Sequence, residues 1–208
     1  MDSFLTISAI TKSELNEKNS KFLGFLFPAS STGIFEQHLN AIKQKYPDAT
    51  HHCYAYRIGL KQLSEFANDD GEPGGTAGLP ILNKLKSYDI QNAGLVVVRY
   101  YGGTKLGKQG LIKVYGTCAE LCLEQSVIVK LVPARIIKIQ YPYNESNRID
   151  KLINKYDCRI EKTEYLADVS YKVSCPAENA AEMFTELSNY EHLGIKSNME
   201  EIHFTPAF

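Results

Sequence analysis

The sequence predicts an α+β protein of two domains, and three features of its 208 residues support this prediction. Segments with helical and strand periodicity alternate along the chain. Pro133 separates a first part, which carries two glycine-rich loops, from a second part without such loops. The second part follows the order strand, helix, strand, strand, helix, strand, which is that of the ferredoxin-like fold. We therefore expect domains at 1–132 and 133–208.

The elements of the first domain follow from apolar spacing and from capping residues. Ser31 is positioned to cap a helix whose apolar stripe includes Ile34 and Leu39. Pro47 marks the end of that helix. Pro80 suits the first turn of a later helix, where no N–H donor is required. The expected strands are 20–27, 52–58, 93–100 and 127–132, and the expected helices are 32–45, 76–88 and 108–125.

The second domain is predicted from shorter strand and helix patterns after Pro133. The segment Tyr141-Pro-Tyr-Asn-Glu145 has the composition of a strand end, a turn and a helix cap, and Gly194 marks the last connection. About 75 residues are enough for a domain of this kind. The expected strands are 135–141, 158–165, 168–174 and 199–204, and the expected helices are 145–156 and 177–189.

Composition and charge exclude several classes of protein. No apolar run is long enough to cross a bilayer, and the first residues lack the features of a signal peptide, so we expect a cytoplasmic protein that does not bind membranes. Five cysteines without a Cys-x-x-Cys spacing argue against a disulfide framework. Residues 1–132 hold 14 Lys and Arg against 12 Asp and Glu (+2), and residues 133–208 hold 9 against 12 (−3). Local patches therefore matter more than net charge.

An acidic loop follows the predicted strand 52–58. Asp69, Asp70 and Glu72 place three carboxylates within four residues. Carboxylates so near to one another repel, and they require a cation, basic side chains or N–H donors nearby. Mg²⁺ would suit such oxygen ligands. The alternatives are a solvated turn, or acids that complement the dipole of the following helix.

The loop continues through a glycine-rich segment, Gly74–Gly78, directly into the helix predicted from Thr76. Free N–H groups at a helix N-terminus form an anion site, and glycines allow a phosphate to approach closely. The segment lacks the lysine of a P-loop. It is therefore interpreted either as a phosphate contact, involving Gly75 and Thr76, or as a tight turn.

A second loop combines basic and aromatic residues. The segment from Arg99 to Lys113 carries four basic residues and no acid, with two tyrosines beside the arginine. Tyrosine and arginine side chains can stack on bases while lysines contact phosphates, which favours an RNA surface. The candidate binding residues here are Arg99, Tyr100, Tyr101, Lys105, Lys108 and Lys113. Alternatively, Arg99 pairs with Asp69, Asp70 or Glu72 and joins the two loops.

Histidines and cysteines do not form a convincing catalytic set. Cys118 and Cys122 lie on the apolar stripe of a predicted helix, where cysteines usually belong to the core. His52 and Cys53 are adjacent on a strand and point to opposite faces, so His52 would not serve Cys53 as a base. His51 and Cys53 share a face but lack the short spacing of zinc ligands. We expect no catalytic residue, no metal site and no cofactor.

Two long motifs resemble the Impact family in its bacterial form. They are Asp69-Asp-Gly-Glu-Pro-Gly-Gly-Thr-Ala-Gly-Leu-Pro-Ile81 and Val96-Val-Val-Arg-Tyr-Tyr-Gly-Gly-Thr-Lys-Leu-Gly107, with His52-Cys-Tyr-Ala55 upstream. The resemblance covers essentially the whole chain. It implies a first domain like domain 2 of ribosomal protein S5 and a second like the last domain of the translocation elongation factor. The motif residues that would shape the site are Asp69, Asp70, Gly71, Glu72, Pro73, Gly78, Gly102, Gly103 and Gly107.

The resemblance also implies a role in translation. Eukaryotic relatives regulate translation but carry a different accessory domain, so their partner is not transferred to this chain. The family supplies no catalytic residue. We expect a non-enzymatic protein that binds RNA, the ribosome or a translation protein, and no sequence-specific binding of DNA. The alternatives are a metal-assisted enzyme acting on a phosphate ester or nucleotide through the acidic loop, and a protein-interaction module.

Overall fold

The computed structural model describes residues 3–60 and 62–207. They form two units, one that extends from Phe4 to Val129 and another that begins at Lys130. None of the helices in this part of the chain combines the length and hydropathy needed to cross a membrane.

The first unit contains six strands and three helices among its described residues. The strands are β1 (Phe4–Ile7), β2 (Thr11–Glu17), β3 (Ser20–Pro28), β4 (His51–Ile58), β5 (Ser64–Asn68) and β6 (Ala93–Tyr100). The helices are α1 (Thr32–Lys45), α2 (Gly78–Ser87) and α3 (Gly107–Glu124). The side chain of Ser31 accepts a hydrogen bond from the backbone N–H of Ile34, which caps α1 as expected.

Five of these strands form one antiparallel sheet in the order β2-β3-β6-β4-β5, which does not include β1. The central strand β6 is buried along its length up to Arg99, and alternate residues point to opposite faces. Leu95 and Val97 pack with α2 and α3, whereas Val96 and Val98 pack with Phe35 of α1. The antiparallel pairing of His51 with Arg99 places the start of β4 beside the end of β6, where both contact the loop that leads into α2.

The residues described for the second unit form four strands and two α-helices. They are β7 (Ile128–Tyr141), α4 (Ser146–Lys155), β8 (Arg159–Tyr165), β9 (Val169–Pro176), α5 (Ala177–Ser188) and β10 (Lys196–Pro206). Short 3₁₀ turns lie at Tyr143–Glu145 and Glu191–Leu193. The four strands pair antiparallel in the order β10-β7-β9-β8, and the helices pack on one face of the sheet. The predicted α+β class and the two-domain arrangement are confirmed.

The structure differs from the predicted elements in two respects. Strands β1, β2 and β5 were not expected, because β2 and β5 present few buried apolar side chains and β1 is only four residues long. In addition, β7 continues through Pro133 as a single strand, where two strands separated by a boundary were predicted. Pro133 lies opposite Phe204 in the ladder between β7 and β10, whereas the ladder between β7 and β9 begins only at Ala134, so the missing N–H of Pro133 costs no hydrogen bond to β9.

Candidate functional site

A buried ion pair joins the two motif loops of the first unit. Arg99 is the penultimate residue of β6, and its Nη1 donates a hydrogen bond of 2.5 Å to Glu72 Oε1 in the acidic loop. Arg99 and Glu72 are only 5% and 8% exposed. Of the three acids predicted as possible partners of Arg99, Glu72 is thus the one that forms the ion pair.

Two further side chains complete the surroundings of Glu72. The hydroxyl of Tyr115, on α3, donates a hydrogen bond of 2.8 Å to Glu72 Oε1. His51 lies with its Nε2 3.9 Å from the same oxygen, and its Nδ1 is 2.7 Å from the backbone carbonyl oxygen of Asp70. The carboxylate therefore binds β6 to α3 beneath the loop. These contacts give the Glu72 carboxylate a structural role.

The thiol nearest to this cluster is not activated. Cys53 is fully buried, and its Sγ lies 3.3 Å from the Tyr115 hydroxyl oxygen. Burial, and then the charge of Glu72, raise the pKa of the Cys53 thiol well above its ordinary value, despite the hydrogen bond to Tyr115. Burial likewise raises the pKa of Cys118 to about 12 and that of Cys122 to about 11. Such thiols are poor nucleophiles and poor metal ligands.

Asp69 occupies the N-terminus of α2. Its Oδ1 accepts hydrogen bonds from the backbone N–H groups of Ala77 and Gly78, at 2.9 and 2.8 Å, and its Oδ2 accepts one from Gly75 at 2.8 Å. The Thr76 hydroxyl is also engaged, because it donates to the Pro73 carbonyl at 2.6 Å. The anion site predicted here thus holds a carboxylate of the chain itself. An external phosphate at Gly75 and Thr76 would have to displace Asp69.

The remaining acid of the loop, Asp70, also bonds within the chain. Its Oδ2 accepts a hydrogen bond of 2.6 Å from the backbone N–H of His52. Within residues 3–60 and 62–207, no three His, Cys, Asp or Glu side chains are grouped so that they would hold a metal ion. The oxygens proposed for Mg²⁺ therefore face N–H groups, Arg99 and Tyr115 instead of a shared cavity.

We expect the Asp69→Ala variant to lower the free energy of unfolding by about 2 kcal/mol, because three N–H groups lose a charged acceptor. Burial by itself would raise the pKa of Asp69, but the three backbone hydrogen bonds together outweigh it and lower that pKa. Because the folded-state pKa is lower than the unfolded one, Asp69 stabilises the fold above its ordinary pKa of 3.8 and loses this effect as the pH falls below it.

Urea unfolding between pH 7 and about pH 3 tests this assignment. The stability difference between the unmodified protein and the Asp69→Ala variant should narrow toward the acid end. Asp69→Asn, which keeps one acceptor oxygen, should lie between the two. A difference that stays constant down to the acid end would contradict the capping role of the carboxylate.

The exposed part of the second motif forms a separate surface. Tyr101 is 44% exposed, and Lys105, Lys108 and Lys113 are exposed along the loop and the first turns of α3. We call these four residues the basic loop surface. No carboxylate forms an ion pair with any of these lysines in the part of the chain that the structure describes. The three charges therefore remain available to a ligand.

Other residues of the motif support this surface from beneath. The guanidinium carbon of Arg99 lies 5.2 Å from the centre of the Tyr101 ring, so a buried cation backs an exposed aromatic side chain. Tyr100 is partly buried against the core beside α1. Gly103 and Gly107 have φ angles of 85° and 70°, which favour glycine, and nothing lies within 4 Å of the position of an added Cβ at either. The loop is thus shaped by glycine and open to its surroundings.

Sequence reasoning missed two members of the cluster. Tyr115 was interpreted only as part of the apolar stripe of α3, although a buried tyrosine hydroxyl usually finds a partner, and this partner is Glu72. Ser20 was seen as the start of a strand. Its Oγ accepts hydrogen bonds from Arg99 Nη2 at 3.4 Å and from the backbone N–H of Gly102 at 3.2 Å. No local signal indicated that contact, because it joins positions about 80 residues apart.

Comparison with known proteins agrees with the division into two units. The Impact N-terminal domain matches residues 18–123, and a domain of unknown function, DUF1949, matches residues 139–189. The chain is 32% identical to the IMPACT family member YigZ of Escherichia coli (strain K12), over 91% of this chain and 94% of that protein. It is also 32% identical to the IMPACT family member YvyE of Bacillus subtilis (strain 168), over 91% of this chain and 88% of that protein.

The fold is similar to that of a solved protein. A crystal structure described as that of an hypothetical protein is 31% identical in sequence, with a TM-score of 0.66. The match covers 97% of this chain and 98% of that chain. The two domain matches and the relatives matched over nearly the full length agree with the two-domain arrangement. The chain therefore belongs to the Impact family.

Proposed function

We propose that this protein is a translation-associated regulatory protein that binds RNA, free or within the ribosome, without catalysis. Membership of the Impact family supports the association with translation. The observation that carries the binding proposal is the basic loop surface, in which three exposed lysines without carboxylate partners among the described residues follow an exposed tyrosine that packs on Arg99. Lysines contact phosphates, and an exposed ring stacks on an unpaired base.

In the two motifs, the buried residues have structural roles and the exposed residues are available to bind RNA. Arg99 and Glu72 hold the loop in place from inside, and Asp69 holds the start of α2. Lys105, Lys108 and Lys113 supply the charge that attracts RNA, and Tyr101 supplies the ring. The buried thiols and the occupied carboxylates leave no activated nucleophile at this site, which favours binding over catalysis.

Reversing two of these charges tests the proposal. We expect the Lys105→Glu/Lys108→Glu variant to bind total RNA or isolated ribosomal subunits about a hundredfold more weakly at moderate salt, because two phosphate contacts become repulsive. Both side chains are exposed, so the fold should be unchanged by circular dichroism. The measurement is a binding titration by fluorescence anisotropy with RNA and by co-sedimentation with subunits.

The matched control is Lys12→Glu/Lys151→Glu, which changes the net charge equally at exposed positions that belong to neither motif loop. We expect this control to bind within about threefold of the unmodified protein, as remote charges are largely screened. Unchanged binding by the Lys105→Glu/Lys108→Glu variant, or an equal loss in both variants, would remove the basic loop surface from the proposal.

A further inference from the structure

In the second unit, part of the sheet face opposite α4 and α5 is exposed and carries an unusual arrangement of lysines. Ile137, Ile139 and Val173 point into the core beneath α4 and α5. Because strand residues alternate between faces, Lys138 and Lys172 point to the opposite side, where both are exposed. This face is remote in sequence from both motif loops.

Strand register places three lysines side by side across this face. Lys172 on β9 lies directly opposite Lys138 on β7 and directly opposite Lys162 on β8. Residues so placed have Cβ atoms roughly 4.5–5.5 Å apart, and like charges in such pairs destabilise a sheet. A fourth lysine, Lys196 on β10, lies opposite Gln140, which shares the Lys138 face of β7. A repulsive row of this kind suggests a role in binding, as local rules tend to be broken at functional sites.

The carboxylates of this face neutralise only part of the charge. Lys162 bonds to Glu164 at 2.5 Å, and Lys138 bonds to Glu200 at 2.7 Å. Among the described residues, neither Lys172 nor Lys196 has a carboxylate within ion-pair distance. Residues 133–208 carry a net charge of −3, yet four of their nine Lys and Arg residues converge here. An anion would relieve the repulsion.

The same lysines line a surface cavity with a volume of about 550 Å³, together with Ser170 and Asn198. Small-molecule sites typically have volumes of about 300–1,000 Å³. The one aromatic residue of the lining is Tyr171, whose hydroxyl donates to Asp150 on α4, so its ring lies on the helix side of the sheet. The lining thus offers no aromatic platform for stacked bases, which argues against single-stranded nucleic acid.

We infer that this cavity binds a small molecule bearing two or more phosphate groups, held by Lys172 and Lys196 with Lys138 and Lys162 at its sides. Lysine binds phosphate as a mobile point charge, and a ligand with two phosphates can reach both Lys172 and Lys196, which lie on strands separated by β7, better than a single carboxylate can. The hydroxyl of Ser170 and the amide of Asn198 add hydrogen-bond donors to the same cavity.

A titration with inorganic pyrophosphate tests this inference on the full chain. Binding is followed by backbone amide chemical shifts, and we expect the largest shifts on β7, β9 and β10 around Lys138, Lys172 and Lys196. The Lys172→Gln/Lys196→Gln variant should weaken pyrophosphate binding at least tenfold. The control variant Lys130→Gln/Lys151→Gln removes the same charge from exposed positions of this unit outside the cavity and should bind within twofold of the unmodified protein.

Three outcomes would overturn the inference. The absence of chemical-shift changes at millimolar pyrophosphate would show that the cavity does not bind a polyphosphate. An equal loss of affinity in both variants would indicate attraction by net charge alone. A short RNA that binds this face more tightly than pyrophosphate or adenosine triphosphate, with the same dependence on Lys172, would identify the face as a nucleic-acid surface instead.

Discussion

Replacing Glu72 by alanine is expected to lower the free energy of unfolding of the first unit by about 3–5 kcal/mol, because breaking a buried ion pair leaves an uncompensated charge inside the protein. Arg99 would lose the partner of its Nη1, and the Tyr115 hydroxyl would lose its acceptor. The Nε of Arg99 already has no hydrogen-bond partner in the described part of the chain. The guanidinium would therefore lack hydrogen-bond acceptors, and water could not replace them because Arg99 is only 5% exposed.

Urea unfolding of the full chain, together with amide hydrogen exchange in β4, β6 and α3, measures this effect. Glu14→Ala is the matched control, because Glu14 forms an ion pair with Lys21 in the same unit but at the surface, with half-exposed side chains. We expect that control to change stability by no more than about 1 kcal/mol. Equal effects of the two substitutions would contradict a structural role for the pair of Glu72 and Arg99.

Gly102→Ala should destabilise the first unit by about 3 kcal/mol, because the added methyl group would clash with a neighbouring backbone segment. An added Cβ at Gly102 would lie 2.0 Å from the carbonyl oxygen and 2.1 Å from the carbonyl carbon of Asn19. Asn19 belongs to the turn between β2 and β3 and has a φ of 65°, so the clashing atoms cannot move without reshaping that turn. The second motif requires glycine here because two backbones touch.

Gly74→Ala provides a contrast within the first motif. No atom lies within 4 Å of an added Cβ at Gly74, and its φ is not in the left-handed region. We expect a change within about 0.5 kcal/mol, measured by the same urea unfolding. A large loss at Gly74, or a negligible one at Gly102, would show that the motif glycines are required for reasons other than the packing described here.

Much of the fold was predictable because local signals agreed with tertiary packing. Ser31 defined the start of α1, and the expected strand 93–100 matches β6, an apolar run buried on both faces. The order of the second domain was equally visible, since its helices and strands carry clear apolar periodicity. Strands β2 and β5 escaped prediction because their pairing depends on neighbours distant in sequence, and their side chains are mostly polar or exposed.

The sequence predicted the two motif loops of the candidate site but not which of their residues contact one another. Two glycine-rich motifs and their acids, tyrosines and lysines were evident from spacing alone. Which acid meets Arg99 depends on the path of the loop, where Asp70 and Gly71 have φ angles of 42° and 89° and turn successive side chains in different directions. As a result Asp69 faces α2, Asp70 faces the backbone of β4, and Glu72 faces the core.

The salt dependence of RNA binding tests the central claim most directly. Binding of the unmodified protein to total RNA and to ribosomal subunits would be measured between about 50 and 200 mM salt. If Lys105, Lys108 and Lys113 each contact a phosphate, the logarithm of the binding constant should fall with the logarithm of salt with a slope of about −2 to −3. The slope should approach about −1 in the Lys105→Glu/Lys108→Glu variant. Binding that is absent at low salt, or that does not respond to salt, would contradict the account.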